Sequence, residues 1–426
     1  MKPVAKELPV SLAKNVDYLR RLPKGIDGFG RGLKPGQRSP IVETRDFGSN
    51  PGALRMFTFA PDNLQPAPGL VVVLHGCGQS AAAYDLGAGW STLAKHYGFA
   101  LLMPQQQPFN NANGCFNWFN PEDTTRDRGE ACSIRQMIAQ AVKDIGIDRE
   151  RIFVTGLSAG GAMTSVMLAT YPEVFAGGAI IAGLPFGVAT NMREALSGMF
   201  QSPSRPASEL GDLVRSASPH KGPWPKLSVW HGSADRTVNP ANADEIVKQW
   251  LDVHQLPAAP MSEGAVNGHP RQVWWNAEGE TIIESYTITD MAHGTPLGIG
   301  DNDKRYGTQG AFLIEAGISS SYQIANFFGL TEWIRRSKVA PAAASKKAAP
   351  TEAPRKKAAS AASAQAVKTA PAVAPAPPSV PDLTQVLWPL TTVARPAEPP
   401  PQPPRRRGID VGSVITRALT AAGLMK

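Results

Sequence analysis

A chain of 426 residues, 42% hydrophobic and 18% charged, can bury one large core and still have segments left over. Its formal charge of +8 is localised: residues 337–426 hold 13 of the 43 Lys and Arg and 4 of the 35 Asp and Glu, so residues 1–336 are close to neutral and offer no basic groove for nucleic acid. The three cysteines (Cys77, Cys115, Cys132) lack zinc-site spacing and the even count of a disulfide framework, and neither a signal-peptide core nor 18 consecutive apolar residues occur, so no metal, Sec signal or membrane span is expected and the chain reads as cytoplasmic by sequence.

Residues 1–44 read as an irregular lead-in, with a short amphipathic helix at 11–22 and Gly, Pro and Arg enriched over 23–55. From Leu54 the residues alternate as in a strand. The run Leu70-Val71-Val72-Val73-Leu74 is apolar on both faces, as a parallel strand covered by helices on both sides requires. A helix-like stretch, 82–97, leads to a second apolar strand, Phe99–Met103, stopped by Pro104. Residues 105–130 form a long Asn/Pro/Asp-rich connection carrying Phe109, Phe116, Trp118 and Phe119; either the aromatics form a substrate platform or they pin the loop to the core. Ala131–Ile145 is a predicted helix with Ile134, Ile138 and Val142 on one face.

The stretch from Arg151 to Tyr171 organises the rest. Ile152–Thr155 is a β-branched and aromatic run, Gly156-Leu157-Ser158-Ala159-Gly160 follows, and a small-residue helical segment comes next. This is strand, sharp turn, helix, with a serine at the turn and glycines where a Cβ would strike the neighbouring strand or helix. The pentapeptide alone is a weak signal; its flanks make Ser158 a candidate nucleophile. His75-Gly76-Cys77-Gly78, directly after the first buried strand, stands where the backbone N–H of Cys77 could join that of Ala159 in an oxyanion hole, against the plainer reading of a Gly-rich turn leaving the sheet. His75, Gly76 and Trp118 are candidate substrate contacts.

Further strands are expected at Gly178–Leu184, Leu227–Trp230 and Thr281–Thr289, with a Pro/Ser-rich excursion over 185–225 holding helices near 190–200 and 208–216 in the place of a cap. Asp235, one loop beyond a strand end, is the candidate acid; Asp244 and Asp252 lie in a helical pattern and read as solvated. Of seven histidines, only His293 follows Ser158 and Asp235 in chain order with a strand to deliver it. Repeating strand and helix patterns predict an α/β class with a mostly parallel sheet and helices on both faces.

On HGCGQ (75–79), GCFNWF (114–119), RGE (128–130), GLSAGGAM (156–163), HGSADRTV (231–238) and MAHG (291–294), the sequence resembles the polyhydroxybutyrate depolymerase-type esterases, a branch of the α/β-hydrolases related to feruloyl and acetylxylan esterases. The resemblance covers about residues 45–335. It implies an α/β-hydrolase catalytic domain over 45–336, Ser158, Asp235 and His293 as a triad, ester hydrolysis through an acyl-enzyme without cofactor, a polymeric or oligomeric ester as substrate, an extracellular alternative for location, and Cys77 and Cys115 close enough to bridge in an oxidising compartment.

Residues 337–408, rich in Lys, Ala and Pro, are expected to be a disordered cationic linker, and 409–426 a short amphipathic helix. Three other readings stay open: a feruloyl or acetylxylan esterase, a peptidase of the same triad chemistry, and a granule- or envelope-binding protein whose basic tail meets an anionic surface. The physiological ester and the oligomeric state are not legible in the sequence.

Overall fold

The computed structural model of the protein describes residues 38–298 and 306–331. The expected helix at 11–22, linker at 337–408 and helix at 409–426 lie outside these residues. Ten strands form one sheet: β1 (Val42–Thr44), β2 (Arg55–Phe59), β3 (Leu70–Leu74), β4 (Ala100–Gln105), β5 (Ile152–Leu157), β6 (Gly177–Ile181), β7 (Lys226–Gly232), β8 (Ser262–Val266), β9 (His269–Trp275) and β10 (Thr281–Ile288). Their order is β1-β2-β4-β3-β5-β6-β7-β10-β9-β8. The six central strands from β4 to β10 run parallel, so their carboxyl ends share one edge. Antiparallel pairs close both sides of the sheet.

The apolar run 70–74 is buried along its whole length. Period-two alternation divides it between two cores. Leu70, Val72 and Leu74 pack with Ile134 and Met137 of a helix over Gly129–Ile145, with Met163 and Val166 of a helix over Ala159–Thr170, and with Trp250 of a helix over Ala241–His254. Val71 and Val73 face the other side, with Tyr84 and Leu93 of helices over Ala81–Ala88 and Trp90–Tyr97, and with Ile324 of a helix over Ser320–Phe327. A mostly parallel sheet covered on both faces by helices is the α/β class the sequence predicts, and the antiparallel β2 beside β4 with the parallel order β4-β3-β5-β6-β7-β10 fits the α/β-hydrolase fold. In chain order the helices are α1 (81–88), α2 (90–97), α3 (Pro121–Thr124), α4 (129–145), α5 (159–170), α6 (Met192–Gln201), α7 (Ala207–Ser216), α8 (241–254) and α9 (320–327). Among the described residues no helix is long and apolar enough to cross a membrane.

Several elements differ from the sequence reading, each for a local reason. The stretch 82–97 is two helices, because Gly89 at φ +77° caps α1 and a Cβ there would strike the backbone of Tyr306 and Gly307. Strand β4 runs through Pro104 to Gln105: its ladder with β3 ends at Leu102, so a missing N–H breaks nothing on that side, and β2 continues alongside through Met56 and Arg55. The lead-in contributes an edge strand, with Glu43 of β1 paired bidentately to Arg55 of β2 at 2.9 Å. Strands β8 and β9 form an unanticipated hairpin around Asn267 (φ 53°) and Gly268 (φ 85°), the left-handed pair that a two-residue turn matching the strand twist requires. The strand expected over 178–184 ends at Ile181, and α4 starts two residues earlier than its apolar stripe, at Gly129.

Gly160 lies where α5 presses on the end of β3, and a Cβ on it would meet the carbonyl oxygens of Leu74 and His75. Backbone cannot yield there as a flexible side chain would. Gly160→Ala is expected to cost about 2–3 kcal/mol and lower the thermal midpoint by roughly 5–10 °C. Differential scanning calorimetry checks this, and an unchanged midpoint would contradict the packing described.

Candidate active site

Strand β5 delivers Ser158 at the turn into α5, with φ 58° and ψ −118°, a conformation that an L-residue adopts only when its surroundings hold it. The surroundings are specific. The Ser158 N–H donates to the Ile181 carbonyl at the end of β6 (2.9 Å), and the Ser158 carbonyl accepts from Ala162 (2.8 Å). Gly156 and Gly160 lie so close across the turn that a Cβ on either would collide with backbone. Ala159 is the first residue of α5, so its N–H has no acceptor within the helix.

Asp235 and His293 come from the loops after β7 and β10, neighbours in the sheet. Those loops are laced together: Ser233 N–H to Ile288 O (2.9 Å), Ala234 N–H to Met291 O (3.0 Å) and Asp290 N–H to Ser233 Oγ (2.8 Å). Asp235 is buried. Its Oδ1 accepts from the N–H groups of Thr237 (2.8 Å) and Val238 (3.0 Å). Its Oδ2 lies 2.6 Å from His293 Nδ1 and 3.2 Å from His231 Nε2. Burial alone would raise this carboxyl, but the bonds from His231 and His293 outweigh it and hold the group well below the usual carboxylate range. An ionised acceptor on Nδ1 fixes the proton there, leaving His293 Nε2 as the bare nitrogen; that atom is buried and makes no hydrogen bond among the described residues.

His231 is a member of this cluster that reading in chain order passed over. Its Nε2 sits between Val238 O (3.0 Å) and Asp235 Oδ2, both acceptors, so Nε2 carries the proton. The sequence signal available was its position on the strand itself, four residues before Asp235, in HGSAD.

The loop after β3 is braced by the long connection that follows β4. Cys77 and Cys115 form a disulfide, and Gly78 N–H donates to Asn113 O (2.8 Å). The pairing implied by the resemblance is present. His75 is fully buried, with Nδ1 donating to Gly76 O (2.8 Å) and Nε2 accepting from Gln106 N–H (3.1 Å). Both ring nitrogens therefore have backbone partners and the ring leans on Phe116, so the expected substrate contact at His75 becomes a structural role. The Gly76 N–H is likewise occupied, by Gln79 Oε1 (2.9 Å).

Within the connection, Glu130 is the organising group. It is fully buried and accepts from Gln106 Nε2 (2.5 Å), Asn117 N (2.8 Å), Asn117 Nδ2 (2.8 Å) and Asn110 Nδ2 (3.3 Å). Burial, with the Asp123 charge beside it, pushes its carboxyl up to about 8, against those donors, which favour the ionised form. The amide orientations are dictated by backbone: Gln107 N–H fixes Gln106 Oε1, and Asn113 and Cys115 N–H fix Asn111 Oδ1, whose Nδ2 then fixes Asn117. The two readings of the aromatics both hold in part. Phe116 is wholly in the core; Trp118, 9% exposed, packs in the core and also lines a pocket containing Ser158; Phe109 stands 75% exposed. Asn111, Asn113, Phe119 and Ala159 line the same pocket, and Met192, Ala195 and Met199 of α6 close it from the excursion read as a cap.

The esterase PHB depolymerase family model matches residues 57–267. The chain is 46% identical over 291 residues to poly(3-hydroxyalkanoate) depolymerase C of Paucimonas lemoignei, covering 68% of this chain and 70% of that protein. It is 35% identical over 263 residues to an acetylxylan esterase of Coprinopsis cinerea, covering 60% and 69%, and 30% identical over 320 residues to feruloyl esterase B of Neurospora crassa, covering 72% and 99%. Among solved structures, the acetyl xylan esterase from Aspergillus awamori matches with a TM-score of 0.58 at 25% identity, over 68% of this chain and 99% of that one.

Buried imidazoles give this fold an acid-sensitive stability. Burial drives His75 and His254 down to about 4, against the carbonyls of Gly76 and Pro225 that favour their protonated forms. An unfolded histidine titrates near 6.5, so between pH 6.5 and 4 the unfolded chain binds protons that the native rings do not, and stability falls as pH falls. Each ring contributes up to about 3 kcal/mol to that loss by pH 4. Glu130, pushed up to about 8, contributes in the opposite sense over this range, so the ring is read from a difference: relative to His75→Gln, the wild-type thermal midpoint should fall as pH drops from 6.5 to 4, and a pH-independent difference between the two would contradict the assignment.

Proposed function

Because this chain belongs to the PHB depolymerase esterase family and is a carboxylic ester hydrolase, we propose that it cleaves poly- or oligo-(3-hydroxyalkanoate)-type esters through a Ser158–His293–Asp235 triad and an acyl-enzyme. The observation that carries this reading is the 2.6 Å contact of His293 Nδ1 with a buried, ionised Asp235, which leaves Nε2 bare and, among the described residues, without a partner. His293 Nε2 takes the Ser158 proton as Oγ attacks the ester carbonyl, and Asp235 stabilises the imidazolium that forms. The N–H groups of Cys77 and Ala159 receive the oxyanion. The tetrahedral intermediate collapses as His293 returns the proton to the leaving alcohol, and water repeats the cycle on the acyl-enzyme. His231, whose Nε2 lies 3.0 Å from Val238 O and 3.2 Å from the same Asp235 oxygen, is a positioning residue that holds the carboxylate toward His293. Gly76 and His75 shape the loop that carries Cys77.

The choice of substrate rests on the 46% identity to a poly(3-hydroxyalkanoate) depolymerase and on an apolar pocket lining of Trp118, Phe119 and Leu184. The second reading is an acetylxylan- or feruloyl-type esterase, favoured by the fold match to an acetyl xylan esterase. The Cys77–Cys115 bridge supports a working environment in which disulfides persist, in keeping with an extracellular site of action.

Rates on 3-hydroxybutyrate oligomers, acetylated xylo-oligosaccharides and feruloyl esters compare the two readings directly; preference for a sugar ester would overturn the first. Ser158→Ala should abolish fluorophosphonate labelling and lower kcat on a p-nitrophenyl ester by roughly 10⁴-fold or more, and His293→Ala should add little to it. Retention of a tenth of the activity would remove Ser158 from the nucleophile's role. For His231, an N–H donor is what matters: His231→Leu is expected to lower kcat about tenfold, whereas His231→Gln, which keeps a donor, should recover most of that loss. Equal losses in the two variants would assign His231 to packing alone.

A further inference from the structure

Outside the residues of the proposed chemistry, one side chain stands on a backbone that its type avoids. Phe312 is the third residue of the turn 310–313, which is closed by backbone bonds between Gly310 and Leu313 in both directions (3.2 Å each). Its φ is +61°, a left-handed value that turns ordinarily give to glycine or asparagine at this position and that is an outlier for a bulky residue. The other non-glycine residues with positive φ among those described are Ala, Ser, Asn, Asp or Gln. Strain of this kind persists only where the surroundings impose it, and an aromatic kept on such a backbone points to a task for its ring.

The ring lies against His293. The two ring centroids are 5.9 Å apart and the planes meet at 79°, the geometry of a favourable edge-to-face pair. The turn is also tied to the residues that directly follow His293. The Phe312 carbonyl accepts from Thr295 N–H (2.8 Å), a Cβ on Gly294 would strike that same carbonyl, and Thr295–Leu297 runs parallel beside Leu313–Glu315. Tyr84 of α1 meets the Thr295 hydroxyl as well (3.0 Å). Backbone and ring of Phe312 are thus both referenced to His293. The bond from Nδ1 to Asp235 Oδ2 fixes one atom of the imidazole and leaves rotation about it, so a second body against the ring is what sets its plane. Filling the core is the plainer task, and Phe312 does join the apolar cluster on the α1 and α2 side of the sheet. That task does not call for a flat ring on a glycine-like backbone, since Leu313 beside it fills the same layer from an ordinary strand.

We infer that Phe312 is a positioning residue for His293: its ring bears on the imidazole and, together with Asp235, sets the plane in which Nε2 meets the Ser158 hydroxyl. This rests on the triad reading of the site. Phe312 does not line the pocket that contains Ser158, so its effect falls on proton transfer and not on substrate binding.

The test uses Phe312→Leu, which keeps an apolar side chain and removes the flat ring, and Phe312→Gly, which suits the turn and removes the side chain altogether. Values of kcat and KM on p-nitrophenyl acetate are measured with thermal midpoints, in the wild-type and His293→Ala backgrounds. In both variants kcat is expected to fall about tenfold with KM held within about twofold, the mark of lost alignment and not of lost binding. In the His293→Ala background the same changes should lower the residual rate by less than about twofold, because the group they act through is gone. A wild-type kcat in either variant overturns the inference. An equal fall in the two backgrounds also overturns it and assigns Phe312 to packing alone. Each variant decides the question by itself should the other not fold. If His293→Ala keeps about a tenth of the wild-type activity, the triad reading fails first and the inference falls with it.

Discussion

The contact between the start of α5 and the end of β3 is the constraint on which the site depends. Gly160 sits against the Leu74 and His75 carbonyls, and Gly156 against Gly160, so strand, turn and helix are pressed together with no space for a side chain at either position. That closeness permits the left-handed backbone of Ser158, which the Ile181 carbonyl then holds from the next strand. One packing arrangement therefore places Ser158 at the carboxyl edge, in the lining of the pocket, and sets the first turn of α5 beside the loop that follows β3. The parallel order of β3, β5, β6, β7 and β10 brings the remaining loops to the same edge.

Two buried carboxylates are handled in opposite ways. Asp235 is given two backbone N–H groups and two imidazoles, and it stays ionised despite its burial. Its Oδ2 fixes the proton of His293 on Nδ1 and leaves Nε2 bare. Glu130 has amide donors instead of cations, and burial pushes its carboxyl up. It serves as the hub of a loop that has little regular structure of its own. A network of this kind, in which each amide's orientation is set by a backbone group, makes an irregular segment rigid without a hydrophobic interior.

That rigidity is what the connection from Gln105 to Arg128 contributes. With the disulfide and the Gly78–Asn113 bond it forms one wall of the pocket, carrying Asn113, Trp118 and Phe119, while α6 supplies the opposite wall from the excursion after β6. Trp118 shows why core and pocket are not alternatives here. One face of a large aromatic can pack inward while its edge borders a cavity, and a wall held by its own core keeps its shape when the cavity is empty.

The order Ser158, Asp235, His293 and the parallel α/β pattern were legible in the sequence, because a run such as Leu70–Leu74 can be satisfied only between two helical layers, and because a sharp strand-to-helix turn demands glycines at set positions. The β8–β9 hairpin was legible too, in Asn267-Gly268 between alternating residues, although periodicity alone passes over it. Other features had no local signature. That His231 shares Asp235 with His293 follows from a side chain turned inward at the end of β7, and that both nitrogens of His75 meet backbone depends on where Gln106 falls after β4. The buried, unpaired Nδ2 of Asn113 is likewise a property of its surroundings, since in sequence it is one asparagine among several in an Asn-rich loop. Local pattern fixed which elements form and where the chemistry-bearing residues stand along the chain. Which polar atoms find partners was decided only when segments distant in sequence closed around them.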